Sequence, residues 1–490
     1  MNRKILMVGL FFALTIFGLS GCTNTVTEIE YVDREVEVPV YVNVDIPDTF
    51  NEVLGELIEN HYSAPMIDEL WEGALNGMID TLDDPFTSYF DYEEYAQYNQ
   101  SFGESYVGIG VSVQFSNGNI IVQEVKSNSP ALSSGMQVND LIVEVDGESI
   151  TDINFYEVIN KIIGDAGTDV TVGVIRSGFN EVIQITMTRA KIDNPSVVSN
   201  YYYDNGQLIG YIKVNTFGDE TAANFASAIT GLEVAGIDGL IIDLRNNGGG
   251  HVTAVYYMLQ EFLLDNDKQM FVTEGLYNGS LERIEYFGIR SAKKDYEIIT
   301  LVNEGSASAS EVFASAMQEH GGYPVIGTVT YGKGTMQQTK VLETTIVLDE
   351  NGDFLSADRL HITIGKWKTA DENWVHGIGV TPDVLVDRSD TEKAFKTFIG
   401  DETIMFDVVD MRVANIQLIL NTMGYSVRTD GYFDVVTKDA ILDIQNENGL
   451  TETGNIDSDT LVVINNALGD YLNDDANDSM LQASIDYFSE

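Results

Sequence analysis

Between Gly210 and about Val386, short apolar runs alternate with helical patterns, and this alternation constrains the fold more than any other feature of the chain. The apolar runs read LIGYIKVN, GLIIDLR, EIITLVN and PVIGTV. Helical patterns lie between them, at Phe225–Ala235, Val252–Leu264 and Ser308–Gln318. Strands that alternate with helices pack as a parallel sheet covered by those helices. We therefore predict an α/β layer, closed by an antiparallel hairpin of KVLETTIVLD and RLHITIGKW.

The flanking segments have other patterns. Apolar residues recur at helical spacing in 47–102, whereas 103–192 consists of short strands with Gly turns and one helical stretch, which is typical of a compact barrel-like module. The pattern is helical again at 405–470, and we expect the acidic tail at 471–490 to be frayed. The predicted fold class is α/β multidomain, with the α/β core at 193–400.

The N-terminus carries an export signal. Arg3 and Lys4 precede an apolar run, Ile5–Leu19, that is too short for a stable membrane span. The following Leu-Ser-Gly-Cys resembles the lipobox of bacterial lipoproteins, in which Cys22 is lipidated and becomes the mature N-terminus. Residues 1–22 are then the signal peptide and 23–46 a spacer, and the chain is anchored by lipid outside the cytoplasmic membrane. A plain signal peptide with an incidental cysteine is the alternative.

Composition excludes several classes of function. Cys22 is the only cysteine, which excludes disulfides, a cysteine protease and a thiolate metal site. Lys and Arg total 26 against 77 Asp and Glu, and the formal charge of -51 opposes binding to nucleic acid. The five histidines show no metal-ligand spacing. We expect no cofactor, no metal and no nucleic-acid partner.

A serine in GSASASE is a candidate nucleophile. Ser308 follows the apolar run Ile298–Val302 and stands where a helix begins. With Glu311 it forms an S-x-x-E capping box, so the serine could serve only to cap that helix. A helix N-terminus also presents free N–H groups to a developing oxyanion, and the N–H of Ala309 is a natural donor.

A lysine in YGKG is a candidate general base. Lys333 stands in a loop between two glycines. It can accept a proton only when burial lowers its pKa from roughly 10.4, and Tyr331 and Met336 are neighbours that could exclude water. The negative charge of the protein favours the charged form of Lys333, so the effect of burial on its pKa must exceed the effect of the surrounding acidic residues. A solvated surface lysine is the alternative.

A third motif, DLRNNGGG, ends a buried strand with three glycines. Glycine lets the backbone approach a ligand closely, so Gly248 or Gly249 could provide a second oxyanion N–H. A tight turn between strand and helix accounts for the glycines equally well. GTVTYGKG nearly matches a phosphate-binding loop, but Gly334 occupies the place of the Ser or Thr that holds Mg²⁺, which argues against an NTPase.

Together, GSASASE, YGKG-x-x-Q and DLRNNGG resemble the motifs of the carboxyl-terminal processing peptidases, also called tail-specific proteases. Ser308 and Lys333 are 25 residues apart, as in that family. The resemblance implies that Ser308 is the nucleophile of a serine endopeptidase, that Lys333 is its general base, and that Gln337 orients the lysine.

The resemblance extends to other segments. The module at 103–192 looks like a PDZ domain, which adds a peptide as a strand and holds its C-terminal carboxylate on loop N–H groups, here those of Gly108, Ile109 and Gly110. Members of the family often carry an arginine where this chain has Ile163, which puts its regulation by the PDZ-like module in question. Residues 405–470 resemble peptidoglycan-binding helical repeats, with a generic helical cap as the alternative.

The expected function is that of an extracytoplasmic, lipid-anchored serine endopeptidase that captures protein C-termini through its PDZ-like module. The implied partners are proteins or peptides with exposed C-termini, peptidoglycan, the membrane through the lipid anchor, and a second copy of the chain in a homodimer. The alternative from another class is a non-catalytic tether that binds protein tails and the cell wall.

Overall fold

The computed structural model describes residues 48–490, apart from 64, 117–118, 127, 151–152, 154, 177–180, 278, 349–353, 398, 400–401 and 490. The predicted signal peptide with Cys22 and the spacer at 23–46 lie outside the described residues. Within the described ranges, the helices all lack the combination of length and hydrophobicity that crossing a membrane requires.

The N-terminal segment is helical, as predicted, and adds one short strand. Its elements are α1 (Asp48–Asn60), α2 (Ile67–Asp80), β1 (Ser88–Phe90) and α3 (Tyr92–Gln100). Phe86 and Phe90 are buried, and Tyr95 and Tyr98 pack against them. This aromatic cluster fixes the segment between α2 and α3 against the rest of the molecule, because burial of each ring removes a large apolar area from water.

The second module is a small sheet with two helices. Its elements are β2 (Ser105–Gly108), β3 (Val111–Ser116), β4 (Asn119–Val125), α4 (Pro130–Ser133), β5 (Leu141–Val145), β6 (Glu148–Ser149), α5 (Phe155–Ile162), β7 (Asp169–Ile175), β8 (Ile183–Thr188) and β9 (Ala190–Asp193). The main sheet has the order β3-β4-β5-β7-β8, so β3 is an edge strand. The predicted strand VGIGVSVQF is divided at Gly110, whose φ is +83° and where a Cβ would lie 2.3 Å from the Cβ of Ser129.

The predicted α/β layer is confirmed. The elements of this part of the chain, which also include strands of other sheets, are β10 (Val197–Asp204), β11 (Gln207–Val214), α6 (Thr221–Ala235), β12 (Gly239–Asp243), α7 (Val252–Leu259), β13 (Gln269–Tyr277), β14 (Ser280–Phe287), β15 (Glu297–Val302), α8 (Ala309–Ala316), β16 (Val325–Gly327), β17 (Thr335–Val341), β18 (Val347–Leu348), β19 (Phe354–Ser356), β20 (Arg359–Thr369) and β21 (Val384–Leu385). The central sheet has the order β10-β11-β12-β15-β16-β21, and every pair except β10–β11 is parallel.

The predicted closing hairpin needs correction. Its first strand is β17, which ends at Val341, so most of KVLETTIVLD is not part of it. The hairpin also belongs to a separate antiparallel sheet, in which β20 pairs with β1, β13 and β17, and β13 pairs with β14. The strand β1 therefore ties the N-terminal segment to this second sheet.

The inner strands β11, β12, β15 and β16 of the central sheet are covered on both faces, which is why they read as apolar runs. The outer strands β10 and β21 are largely exposed. One face packs on α6, α7 and α8 in the largest hydrophobic cluster. The other face, with Ile241 and Leu301, packs on the apolar side chains Met480, Leu481 and Ile485 near the end of the chain.

The C-terminal part corrects the prediction of a frayed tail. Three helices, α9 (Met411–Thr422), α10 (Val435–Glu447) and α11 (Ser458–Leu472), enclose a core of their own, as predicted. The acidic segment that follows forms a further helix, α12 (Ser479–Tyr487), and this helix covers the second face of the central sheet.

Candidate active site

The candidate nucleophile stands between β15 and α8 with a strained backbone. Ser308 has φ 54° and ψ −111°, a conformation that residues with a Cβ seldom adopt and that is often associated with functional sites. The N–H groups of Glu311 and Val312 both donate to the Ser308 carbonyl at 2.9 Å. The N–H of Ala309 donates to no backbone acceptor among the described residues, so the first helical turn presents this donor freely.

The capping box at the start of α8 depends mainly on the carboxylate of Glu311. Oε2 of Glu311 accepts from the Ser308 N–H at 2.8 Å, while no capping hydrogen bond ends on the Ser308 hydroxyl. The capping box predicted from Ser308 and Glu311 is therefore present, and the Glu311 carboxylate makes its main contact. The hydroxyl is left available for chemistry.

Glu311 also binds the loop that carries the lysine. Its buried carboxylate accepts from the N–H groups of Gly332 at 2.7 Å and Lys333 at 2.8 Å, and from the Thr330 hydroxyl at 2.6 Å. Burial raises its pKa, and these hydrogen bonds act in the opposite direction. One carboxylate thus joins the backbone of both members of the predicted dyad. The sequence indicates only a capping role for Glu311, because no local motif shows the contact between α8 and the lysine loop.

Lys333 has the environment that a neutral lysine needs. Its side chain is only partly exposed, and the loss of solvent around the ammonium lowers its pKa to about 8, although Asp84 and Glu311 act to raise it. Nζ lies 4.1 Å from the centre of the Phe86 ring. Of the two neighbours named from the sequence, Tyr331 instead donates its hydroxyl to the carbonyl of Phe115 in the second module.

The glycine loop after β12 lies directly against the nucleophile. A Cβ at Gly249, whose φ is +107°, would come within 2.9 Å of both the Ala307 carbonyl oxygen and the Ser308 Cβ. The N–H of Gly249 is engaged, because it donates to Oδ1 of Asn247 at 2.9 Å. The N–H of Gly248 has no such acceptor in the described part of the chain, so of the two predicted glycines it is Gly248 that offers an open donor.

Two asparagines connect the glycine loop to the nucleophile loop. The carbonyl of Asn247 accepts from the Ala307 N–H at 3.0 Å and from the Ser310 hydroxyl at 2.8 Å. Oδ1 of Asn303 accepts from the Asn246 N–H at 2.8 Å. These hydrogen bonds fix the two loops relative to each other. No local motif indicates them, because they join segments that are far apart in the sequence.

Beneath the glycine loop, Arg245 forms a buried ion-pair network. Its guanidinium lies 2.6 Å from Oδ2 of the buried Asp243 and 2.7 Å from Oδ1 of Asp478, which caps α12. The pKa of Asp243 is lowered by Arg245 against the effect of burial. The C-terminal helix is thereby connected to the base of the candidate oxyanion loop.

The predicted third residue, Gln337, lies on β17. Its side-chain amide donates to the hydroxyls of Thr335 at 3.2 Å and Thr363 at 3.0 Å. These contacts place Gln337 in the wall of the same cleft as Lys333. Its role in orienting the lysine stays a prediction.

One cleft of about 680 Å³ brings most of the predicted site residues together, although Ala309 is not part of its wall. Its wall includes Ser308, Lys333, Gln337, Gly248, Gly249, Gly108, Ile109 and Gly110. The cleft therefore runs from the candidate nucleophile to the loop predicted to hold a carboxylate. In that loop, the N–H groups of Ile109 and Gly110 donate to no backbone acceptor among the described residues.

Ile163, where an arginine is frequent in the family that the sequence resembles, also lines this cleft. A guanidinium does occupy the end of α5, but it comes from Arg189. Its Nε donates to the Ile162 carbonyl at 2.8 Å and its Nη2 to the Lys161 carbonyl at 3.0 Å. Arg189 thus caps the C-terminal end of α5.

Four family models match the chain. They are peptidase family S41 at residues 208–386, a PDZ domain at 107–187, a putative peptidoglycan-binding domain at 410–464 and the N-terminal domain of the activating protease CtpB at 50–94. Each match falls within a unit that was delimited from the sequence.

Curated relatives match over most of the chain. The carboxy-terminal processing protease CtpB of Bacillus subtilis is 33% identical over 432 residues, which are 88% of this chain and 86% of the relative. CtpA of the same organism is 31% identical over 448 residues, 90% of this chain and 89% of the relative. The solved photosystem II D1 C-terminal processing protease shares the fold, with a TM-score of 0.52, 24% identity, and coverage of 70% of this chain and 87% of that one. The chain belongs to the carboxy-terminal processing proteases of peptidase family S41.

Proposed function

We propose that this serine protease cleaves peptide bonds by a Ser–Lys mechanism. Neutral Lys333 takes the proton of the Ser308 hydroxyl as Oγ attacks the scissile carbonyl carbon. The N–H groups of Ala309 and Gly248 hold the resulting oxyanion. Protonated Lys333 then gives its proton to the leaving amine, and the C–N bond breaks. Water releases the acyl group from Ser308 with Lys333 again as base.

The observation that carries this proposal is the lowered pKa of Lys333 in the cleft that holds Ser308. With a pKa of about 8, roughly one molecule in ten holds a neutral lysine at pH 7, against about one in a few thousand for an ordinary lysine. The carboxylate of Glu311 supports the same assignment, because it binds the backbone of both residues.

We further propose that the PDZ-like module presents the substrate's C-terminus. Among the described strands, β3 pairs with β4 alone, and a peptide strand can add at its other edge. The open N–H groups of Ile109 and Gly110 suit a terminal carboxylate. The cleft that joins this loop to Ser308 supports capture and cleavage in one site.

The test is cleavage of a disordered, tagged substrate, with the products identified by mass spectrometry. Ser308→Ala and Lys333→Ala should each abolish cleavage while tail binding persists. Two matched controls should stay active: Ser315→Ala, a buried serine of the same helix, and Lys340→Ala, an exposed lysine on β17. Cleavage by Ser308→Ala at the wild-type rate would refute the mechanism.

We propose that the protein is extracytoplasmic and anchored to the membrane through lipid on Cys22. The support is the charged start, the short apolar run and the Leu-Ser-Gly-Cys sequence. Cys22→Ser should release the protein from the membrane fraction and remove the lipid mass from its N-terminal peptide. Membrane association that survives this substitution would contradict lipid anchoring.

The three-helix domain at 410–464, similar to putative peptidoglycan-binding domains, is proposed to hold the enzyme at the cell wall. Sedimentation of the protein with purified peptidoglycan, with and without residues 405–470, tests this role.

A homodimer is also proposed, supported by apolar side chains exposed on α1 and α2, among them Val53 and Met78. Analytical ultracentrifugation distinguishes the dimer from a monomer.

A further inference from the structure

The active-site cleft differs in charge from the rest of the protein. The chain holds 77 acidic residues against 26 Lys and Arg. Yet none of the described residues that line the cleft is Asp or Glu, and two lysines, Lys126 and Lys333, line it. His361 is also there, but burial and the charge of Lys333 lower its pKa to about 4, so it is neutral near pH 7. A cleft without acidic side chains suits an anionic group on the substrate.

Lys126 is the lysine of this cleft that the catalytic mechanism does not use. Its own N–H donates to the Gly110 carbonyl at 2.9 Å, so its side chain starts beside the loop with the open N–H groups. Nζ donates to Oδ1 of Asn194 at 2.9 Å. An ammonium has three donors, and this contact uses one of them.

The surroundings of Lys126 leave its charge without a close partner. No carboxylate of the described residues lies within salt-bridge distance of Nζ, and the more distant effects of Glu124 and Lys213 oppose each other. Burial lowers the pKa of Lys126, which means that the ammonium has lost solvent without gaining an anion. A carboxylate bound beside it would supply that missing charge.

We propose that Lys126 is a specificity residue that binds the α-carboxylate of the substrate's C-terminus, together with the N–H groups of Ile109 and Gly110. The inference rests on the proposed capture of C-termini and assigns the charged group that performs it. Lys126 thereby distinguishes a true chain end from an internal extended segment, which offers the same strand edge no carboxylate.

The test uses the full-length protein in detergent and three peptide substrates of one sequence. The first ends in a free α-carboxylate and the second in a C-terminal amide. The third also ends in an amide, but its last residue is a glutamate, so that its only terminal carboxylate is on a side chain. Steady-state kcat and KM are measured for wild type, Lys126→Met, Lys126→Arg and Asn194→Ala. Thermal unfolding of each variant confirms that it is folded.

For wild type, the free acid should have a KM lower than the amide's by about tenfold, the scale of one charge-assisted hydrogen bond in a partly buried site. Lys126→Met should raise the KM of the acid to that of the amide, leaving the amide's KM and both kcat values nearly unchanged. Lys126→Arg should keep the preference. Asn194→Ala, which removes the neutral partner of Nζ, should keep it too.

Three results would overturn the inference. If Lys126→Met keeps the preference for the acid, the loop N–H groups bind the carboxylate alone. If it weakens acid and amide equally, Lys126 is a structural link to Asn194. If Lys126→Met raises the KM only of the peptide with the terminal glutamate, the lysine binds a side-chain carboxylate and not the α-carboxylate. A wild type that does not distinguish acid from amide would instead refute the proposed capture of C-termini, whatever the variants do.

Discussion

Replacement of Phe86 should change the pH dependence of catalysis, because this ring covers the ammonium of Lys333 at 4.1 Å. Desolvation is the largest influence on that ammonium and lowers its pKa from 10.5 to about 8. Since one pKa unit corresponds to about 1.4 kcal/mol, the surroundings together disfavour the charged form by at most roughly 3 kcal/mol for this partly exposed side chain, with desolvation opposed by Asp84 and Glu311.

Phe86→Ala should admit water to Lys333 and raise its pKa by about 1 to 2 units, since hydration favours the ammonium. At pH 7 the neutral fraction, and with it kcat/KM, should fall by about 10- to 100-fold. The loss should shrink as the pH rises, because the variant lysine deprotonates at higher pH. The assay is kcat/KM for a fluorogenic peptide between pH 6 and 10.5.

Phe86→Leu is the matched control, because it keeps apolar cover but removes the aromatic face. A ring above an ammonium stabilises the charged form by about 1 kcal/mol, so its loss should leave the pKa of Lys333 unchanged or lower it by about half a unit. The expected signature is a lower kcat/KM at pH 7 for Phe86→Ala and an unchanged or higher value for Phe86→Leu. An activity loss that is equal at all pH values for Phe86→Ala would refute the reasoning.

Three further substitutions test the surroundings of the site. Glu311→Gln places an NH₂ donor against backbone N–H donors and should lower kcat by about 10- to 100-fold and reduce the free energy of unfolding by about 1 to 3 kcal/mol, both measurable on the purified variant. Gly249→Ala should lower kcat by at least about 100-fold in the peptide assay, because its methyl group meets the nucleophile loop at 2.9 Å, whereas Gly231→Ala, with open space around it, should stay active. Asp478→Asn should lower the unfolding temperature by a few degrees in a thermal melt, since it weakens the ion pair that joins α12 to Arg245, and an unchanged melting temperature would exclude that role.

Local patterns were sufficient to predict much of the fold and to select the two residues of the proposed dyad. The inner strands of the central sheet, β11, β12, β15 and β16, are buried on both faces, so each reads as an apolar run bounded by glycine or polar residues. Ser308 and Lys333 lie in short motifs with a fixed separation, and such motifs can be found in the sequence without any knowledge of the tertiary structure.

The remaining parts depend on contacts between distant segments, which periodicity does not encode. Phe86 reaches Lys333 only because β1 pairs with β20 and carries the N-terminal segment to the cleft. The acidic end of the chain was expected to be frayed on composition, yet Met480 and Leu481 are buried under the central sheet. In this segment many acidic side chains surround a few apolar ones, so a prediction based on charge alone does not identify its amphipathic helix.

The most direct test of the central claim is the rate at which an active-site serine reagent, such as a fluorophosphonate, labels the protein as a function of pH. Mass spectrometry of the labelled peptide should place the adduct on Ser308. The labelling rate should rise with pH around an apparent pKa of about 8 and be lost in Lys333→Ala. A labelling rate that is flat from pH 6 to 10, or equal in wild type and Lys333→Ala, would contradict a serine activated by a neutral lysine.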